Sequence, residues 1–174
     1  ALTFKPGHRR SQVLLGATLM TNGQSARAID ILSRLPDDRV SPWTHMHLGH
    51  HHRQLGNLKP ALLHLLEAER RAPRDASIQY DLALTYQDGL RDHERAIPHW
   101  RRAIEFNMPG PDAYLHLGNA YSYLGNQQEA RTWFERALET YPAMPQAAEI
   151  TRFLHAQKAM KKSNTGKVHK DGNE

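Results

Sequence analysis

The sequence predicts an all-α solenoid of helical hairpins. Three observations predict it. Small and apolar residues recur at helical spacing, the same pattern returns at intervals of 33, 34 and 35 residues, and glycine or proline breaks each unit at a similar place. Independent helices would not keep such a register.

Residues 111–144 show the unit most clearly. Tyr114, Leu117, Gly118 and Tyr121 lie on one helical face, with the glycine where a neighbouring helix comes close. Gly125-Asn126 breaks the pattern. A second helix then carries Ala130, Phe134 and Ala137, and Tyr141-Pro142 closes the hairpin. Residues 42–75 repeat it with Leu48, Gly49 and His52, then Gly56, then Ala61, Leu65 and Ala68, then Pro73. Residues 76–110 hold Leu82, Ala83 and Tyr86, then Gly89, then Ala96, Trp100 and Ala103. Residues 9–41 hold Leu15, Gly16 and Leu19, then Gly23, then Ala28, Leu32 and Leu35, with Pro36 ending the second helix early.

This spacing resembles the tetratricopeptide repeat, whose 34-residue pattern is W-x2-L-G-x2-Y, then A-x3-F, then P. The resemblance covers about four-fifths of the chain. Tyr114 takes the tryptophan position in 111–144, His45 and His52 take the two aromatic positions in 42–75, and Gln79 and Gln12 take the first aromatic position in the other two repeats. A glutamine there predicts weaker aromatic packing. The resemblance implies that the hairpins stack into a right-handed superhelical solenoid with a concave groove.

The flanks extend the array. Residues 1–8 resemble the end of a repeat, as in Ala137-Leu138-Glu139-Thr140-Tyr141-Pro142, and are expected to be the C-terminal half helix of a preceding repeat. The chain opens on Ala1, so it is expected to be a processed or excised piece. Residues 145–162 are expected to form a capping helix, buried along Ala147, Ile150 and Leu154 with Phe153 beside them. Residues 163–174 lack periodicity and are expected to be a flexible basic tail. Two irregularities fall in 76–110: a one-residue insertion between Tyr86 and Ala96, and Pro98 inside the second helix, which removes the N–H partner of the Glu94 carbonyl and predicts a local kink.

Composition excludes several functions. Hydrophobic residues make up 39% of the 174, and no apolar stretch is long enough to span a bilayer, so no membrane insertion is expected. No signal peptide is visible, and the compartment, cytoplasmic or periplasmic, is left open. Cysteine is absent, which removes disulfides, thiolate nucleophiles and Cys-based zinc sites. From Lys158 onward five lysines face two carboxylates, so the tail holds +3 of the net +5. The repeat body is nearly balanced, and a nucleic-acid partner is not expected. There is no Gly-rich phosphate loop and no G-x-S-x-G elbow, so neither catalytic residues nor cofactors are assigned.

What the resemblance implies is a surface. In the family the first helix of each hairpin lines the groove, mainly at its second, fifth, ninth and twelfth positions. Carried onto this chain, these are Arg10, Val13, Ala17 and Met20; Trp43, Met46, His50 and Arg53; Ser77, Tyr80, Leu84 and Gln87; and Asp112, Leu115, Asn119 and Ser122. Tyr123 lies beside them, and the sixth position adds His47, Asp81 and His116. The apolar members are not needed for the hairpin core, and contiguous apolar surface with a polar rim marks a binding site. The expected function is therefore a non-catalytic module that holds a protein or peptide segment, with Arg10, Arg53, Gln87 and Asn119 orienting it. Head-to-tail self-association and a regulatory arm of a larger protein are the alternatives. The lysines with which some family members clamp a chaperone-tail carboxylate are missing from the fifth and ninth positions. His45, His47, His50, His51 and His52 crowd one helix. Only His47 and His51 have a ligand-like spacing there, and no metal site is assigned.

Overall fold

The computed structural model describes residues 11–168, apart from 13, 17, 20, 21, 23 and 33–40. Among the described residues every regular element is helical. The contacts divide the chain into a first unit ending at Met108 and a second beginning at Pro109. The expected half helix at 1–8 lies outside the described residues.

In the first unit, helical residues at 11–12, 14–16 and 18–19 precede α1 (Ser25–Leu32). Then come α2 (Pro42–Gln54), α3 (Leu58–Arg71), α4 (Ala76–Leu84) and α5 (His93–Glu105). α2 pairs with α3 and α4 with α5, as the repeat register predicts. The starts are written in the sequence. Ser41 Oγ accepts from the Thr44 N–H ahead of Pro42, Asp75 accepts from Ser77 and Ile78, and Asp92 accepts from Arg95.

Glycine at the helix crossing has a steric reason. A Cβ on Gly49 would stand 2.5 Å from Leu65 Cγ, and one on Gly16 would stand 2.5 Å from Leu32 Cγ. The repeat at 76–110 has a fully buried Ala83 at this place instead. Its inserted residue is absorbed by a π-helical turn, Thr85–Gly89, closed by the Leu90 N–H to Thr85 carbonyl bond. The extra residue relocates the hairpin turn. Gly56 has φ 76°, but here the left-handed residue is Arg91 at φ 57°, while Gly89 faces Leu58. α5 continues through Pro98, which lies on its exposed side.

The core of this unit is apolar, with polar groups at the aromatic positions. Leu48, Leu65, Ile78, Leu82 and Trp100 are fully buried beside the small residues Ala61, Ala68, Ala96 and Ala103. Gln79 does not leave a weakly packed gap. It is 0% exposed and ties two repeats together: its Nε2 donates to Glu69 Oε1 at 2.9 Å, and its Oε1 accepts from His99 Nδ1 at 2.8 Å. Arg102 also donates to Glu69, and Tyr86 stacks on His99 at 5.4 Å. In 42–75 the aromatic positions hold imidazoles. His45 and His64 meet Nδ1 to Nδ1 at 3.2 Å, and His52 stacks on His64.

The second unit holds α6 (Asp112–Tyr123), α7 (Gln127–Thr140) and α8 (Ala147–Val168). A Cβ on Gly118 would stand 2.6 Å from Phe134 Cε1. Phe134 packs edge-on against Phe153 of α8, in a core with Ala130, Ala137, Met144, Ile150 and Leu154. α8 is therefore the expected capping helix, but it is longer than expected. It runs through Val168 into the segment read as a flexible tail. Residues 169–174 lie outside the described residues.

Candidate functional site

In the first unit the groove positions of α2 form one stripe. Trp43, Met46, His47, His50 and Arg53 follow at three- and four-residue spacing, which is one side of a helix. Their repeat partners Leu48 and Gly49 face the core instead. Trp43 is 43% exposed and meets the His47 ring edge-on at 4.0 Å. Met46, His47 and His50 are half-buried.

α4 supplies the other side. Asp81, which is buried, accepts from His50 Nδ1–H at 2.9 Å. With Nδ1 donating to Asp81, His50 Nε2 faces the Gln54 amide at 3.0 Å. Arg53 approaches the same Asp81 oxygen to 3.9 Å, with its side chain 19% exposed. Burial, then the neighbouring His50, holds the His47 imidazole below its usual value, and Asp81 pulls the other way. The stripe therefore combines an aromatic anchor, a thioether and a permanent cation beside an already engaged carboxylate.

The other groove positions of α4 differ among themselves. Leu84 is half-buried. Tyr80 is half-buried too, and its ring meets buried Trp100 edge-on at 5.1 Å, so it also supports the hairpin. Gln87 is not available as an orienting group. It is buried, and its Oε1 accepts from Trp100 Nε1 at 2.9 Å. The reason is the π turn: one extra residue rotates the side chains after Thr85 by about 100°. Arg10, Val13, Ala17 and Met20 lie outside the described residues.

In the second unit Leu115, Asn119 and Ser122 of α6 line a cavity of about 230 Å³. Phe134 of α7 and Gln146, Glu149, Ile150 and Phe153 from the α8 segment complete it. Its lining combines the apolar Leu115, Phe134, Ile150 and Phe153 with the polar Asn119, Ser122, Gln146 and Glu149. The α8 contribution was not assigned to a site from sequence. The signal was present in the Ile150 and Phe153 spacing, but it reads equally as core. Tyr123 is 72% exposed, and His116 is half-buried. No group of three or more His, Cys, Asp or Glu able to hold a metal occurs among the described residues. None of the described helices is long and apolar enough to cross a membrane.

Known proteins agree with this architecture. Residues 74–143 match the family model for the tetratricopeptide repeat, and that stretch carries such repeats. A solved structure of MamA AMB-1 superposes with a TM-score of 0.78 at 21% identity, covering 91% of this chain and 87% of that one. Another MamA crystal structure is 28% identical, with a TM-score of 0.70 over 78% of this chain and 79% of that one. Protein O-mannosyl-transferase TMTC1 of Mus musculus is 23% identical over 152 residues. That stretch is 81% of this chain and 15% of the mouse protein, so the chain spans a small part of that relative.

Proposed function

From a chain built of tetratricopeptide repeats, we propose a non-catalytic interaction module that holds a protein or peptide segment on the first helices of its hairpins. The repeat fold and the similarity to MamA support an interaction scaffold. The observation that carries the finer reading is the α2 stripe. Trp43 keeps 43% of its surface exposed while the aromatic Trp100 is fully buried. An exposed tryptophan beside a methionine is costly on a merely solvated surface and gives a large contact area to a partner. In the second unit the cavity at Leu115, Asn119 and Ser122 is a separate candidate place with its own apolar and polar lining.

The test compares capture from source-cell lysate by the chain and by its Trp43→Ser/Met46→Ser variant, with mass spectrometry of what is retained. A protein held by the first and lost by the second supports the reading. Identical captured sets, with matching circular dichroism, overturn it.

End-to-end self-association is a second reading, favoured by one observation. Leu14 and Leu15 are 70% and 49% exposed, and Leu15 joins Leu19 and Ile31 in an open apolar depression. Light scattering across a concentration series decides it: a constant monomer mass rules it out.

A further inference from the structure

We propose that the α2–α3 hairpin is a proton-sensitive joint, which keeps its packing when the His45–His64–His52 cluster takes one added proton and loosens when it takes a second. The α4–α5 hairpin uses the same positions and is built to hold.

The argument starts from three places in the repeat. In 76–110, counting the inserted residue, the fourth, eleventh and twenty-third positions are Gln79, Tyr86 and His99. His99 Nδ1 donates to Gln79 Oε1 at 2.8 Å, and Tyr86 stacks on His99 at 5.4 Å. In 111–144 they are Tyr114, Tyr121 and Trp133, with the Tyr114 and Trp133 rings 6.3 Å apart. In 42–75 they are His45, His52 and His64, so every member can take a proton. His45 is buried and meets His64 Nδ1 to Nδ1 at 3.2 Å, while the His52 ring lies parallel to His64 at 5.6 Å.

A bond between two Nδ1 atoms needs one N–H and one bare nitrogen. One added proton leaves that bond in place, with an imidazolium donating to a neutral ring. A second proton on the pair sets N–H against N–H and places two like charges on adjoining rings. His52 gives that proton no better place. Its Nδ1 is buried with no hydrogen-bond partner among the described residues, and its ring lies against His64. The three imidazoles therefore titrate as one coupled group. In α4–α5 the acceptor is an amide, which does not titrate, so His99 donates to Gln79 whether charged or neutral.

The charged groups on the packed helices do not undo this. On α2, His51 adds like charge beside His52. On α3, Glu67 accepts from Arg70 and Arg71, and Glu69 accepts from Gln79 and Arg102. On α4, Asp81 accepts from His50. α1 packs on α2 through Leu32 and Leu48, and its Arg27 and Asp30 line the depression with Leu15. α2 carries the Trp43–Arg53 stripe on its other side, so the joint puts that stripe under proton control. Only this last consequence rests on the groove reading.

The test needs no ligand, so its outcome is independent of the groove reading. Hydrogen exchange of the whole chain is followed by mass spectrometry at pH 7.5 and 5.5, with intrinsic exchange divided out. Protection across 42–71 should fall about tenfold or more beyond any fall across 76–105. His64→Gln copies the Gln79–His99 pairing with an acceptor that does not titrate, and His45→Gln does so from the other helix. Either one, folded at pH 7.5 by circular dichroism, should bring the loss across 42–71 down to that across 76–105. Long-range proton–nitrogen NMR of the unaltered chain should show the three imidazoles taking up protons in two steps, with α2–α3 opening on the second. An equal fall in both hairpins overturns the joint. So does a selective fall that survives in a folded glutamine variant. Three independent single titrations, or opening on the first proton, overturn it without any variant.

Discussion

Gln79→Met tests whether the buried amide, and not merely a filled volume, joins the second and third repeats. Methionine occupies a similar volume and keeps the packing against α3 and α5. It removes the donation to Glu69 at 2.9 Å and the acceptance from His99 at 2.8 Å. A hydrogen bond to a charged group contributes about 1.5–3 kcal/mol and a neutral one about 1 kcal/mol. Methionine avoids burying an amide, which returns about 1 kcal/mol. The net loss is about 1.5–3 kcal/mol. For a unit of this size that lowers the melting temperature by roughly 6–12 °C. Urea denaturation followed by circular dichroism measures it, for Gln79→Met, His99→Phe and the double variant. The two single losses should exceed the double loss by about 1–2 kcal/mol, because they remove the same bond. A Gln79→Met loss under about 0.5 kcal/mol, or strict additivity, would refute the reasoning.

Other consequences can be measured in the same way. Burial is the first cause that holds His47, His52 and His99 below the usual imidazole value near 6.5. The folded chain then binds fewer protons than the unfolded chain, so stability is full above that value and falls as pH drops through it. The urea midpoint should be lower at pH 5.5 than at 7.5, and equal midpoints contradict the assignment. Carboxylates do not confuse this window: Glu67, held at about 2 by its bonds from Arg70 and then Arg71, loses its contribution only in stronger acid. Gly118→Ala places a Cβ 2.6 Å from Phe134 and should cost about 1–2 kcal/mol despite alanine's better helix propensity, as read from the second unit's unfolding curve. Trp43→Ser should leave thermal stability within about 2 °C, since the ring is 43% exposed, and a larger fall would make it a core residue.

The fold was legible because repeat spacing is enforced by contact. Gly16, Gly49 and Gly118 recur because a Cβ at each would strike Leu32, Leu65 or Phe134 from the paired helix. That requirement is local to one hairpin and survives in one sequence. The exceptions are where a different physical solution meets the same demand. Gln79 and His45 stand at aromatic positions and are buried, but they satisfy them through hydrogen bonds whose partners, Glu69, His99 and His64, come from other helices. Nothing in the spacing of one segment announces a partner twenty residues away. The insertion at 76–110 was visible as a count. Its resolution as a π turn, with Arg91 rather than Gly89 in the left-handed region, depends on which carbonyl the Leu90 N–H reaches.

The site was legible as a list of positions and not as chemistry. A periodic rule put Gln87 with Tyr80 and Leu84, but the π turn rotates it inward onto Trp100. The same rule placed Arg53 and His50 on one face and gave Arg53 an orienting role. The structure separates them: His50 takes the near oxygen of Asp81, and Arg53 is left 3.9 Å away with a buried Nε. A difference of one ångström separates the two side chains, because hydrogen bonds fail steeply beyond 3.5 Å while charge attraction does not. Arg53 therefore stays associated with Asp81 electrostatically yet keeps its directional donors open. That combination holds a cation in a half-buried stripe without saturating its hydrogen bonds.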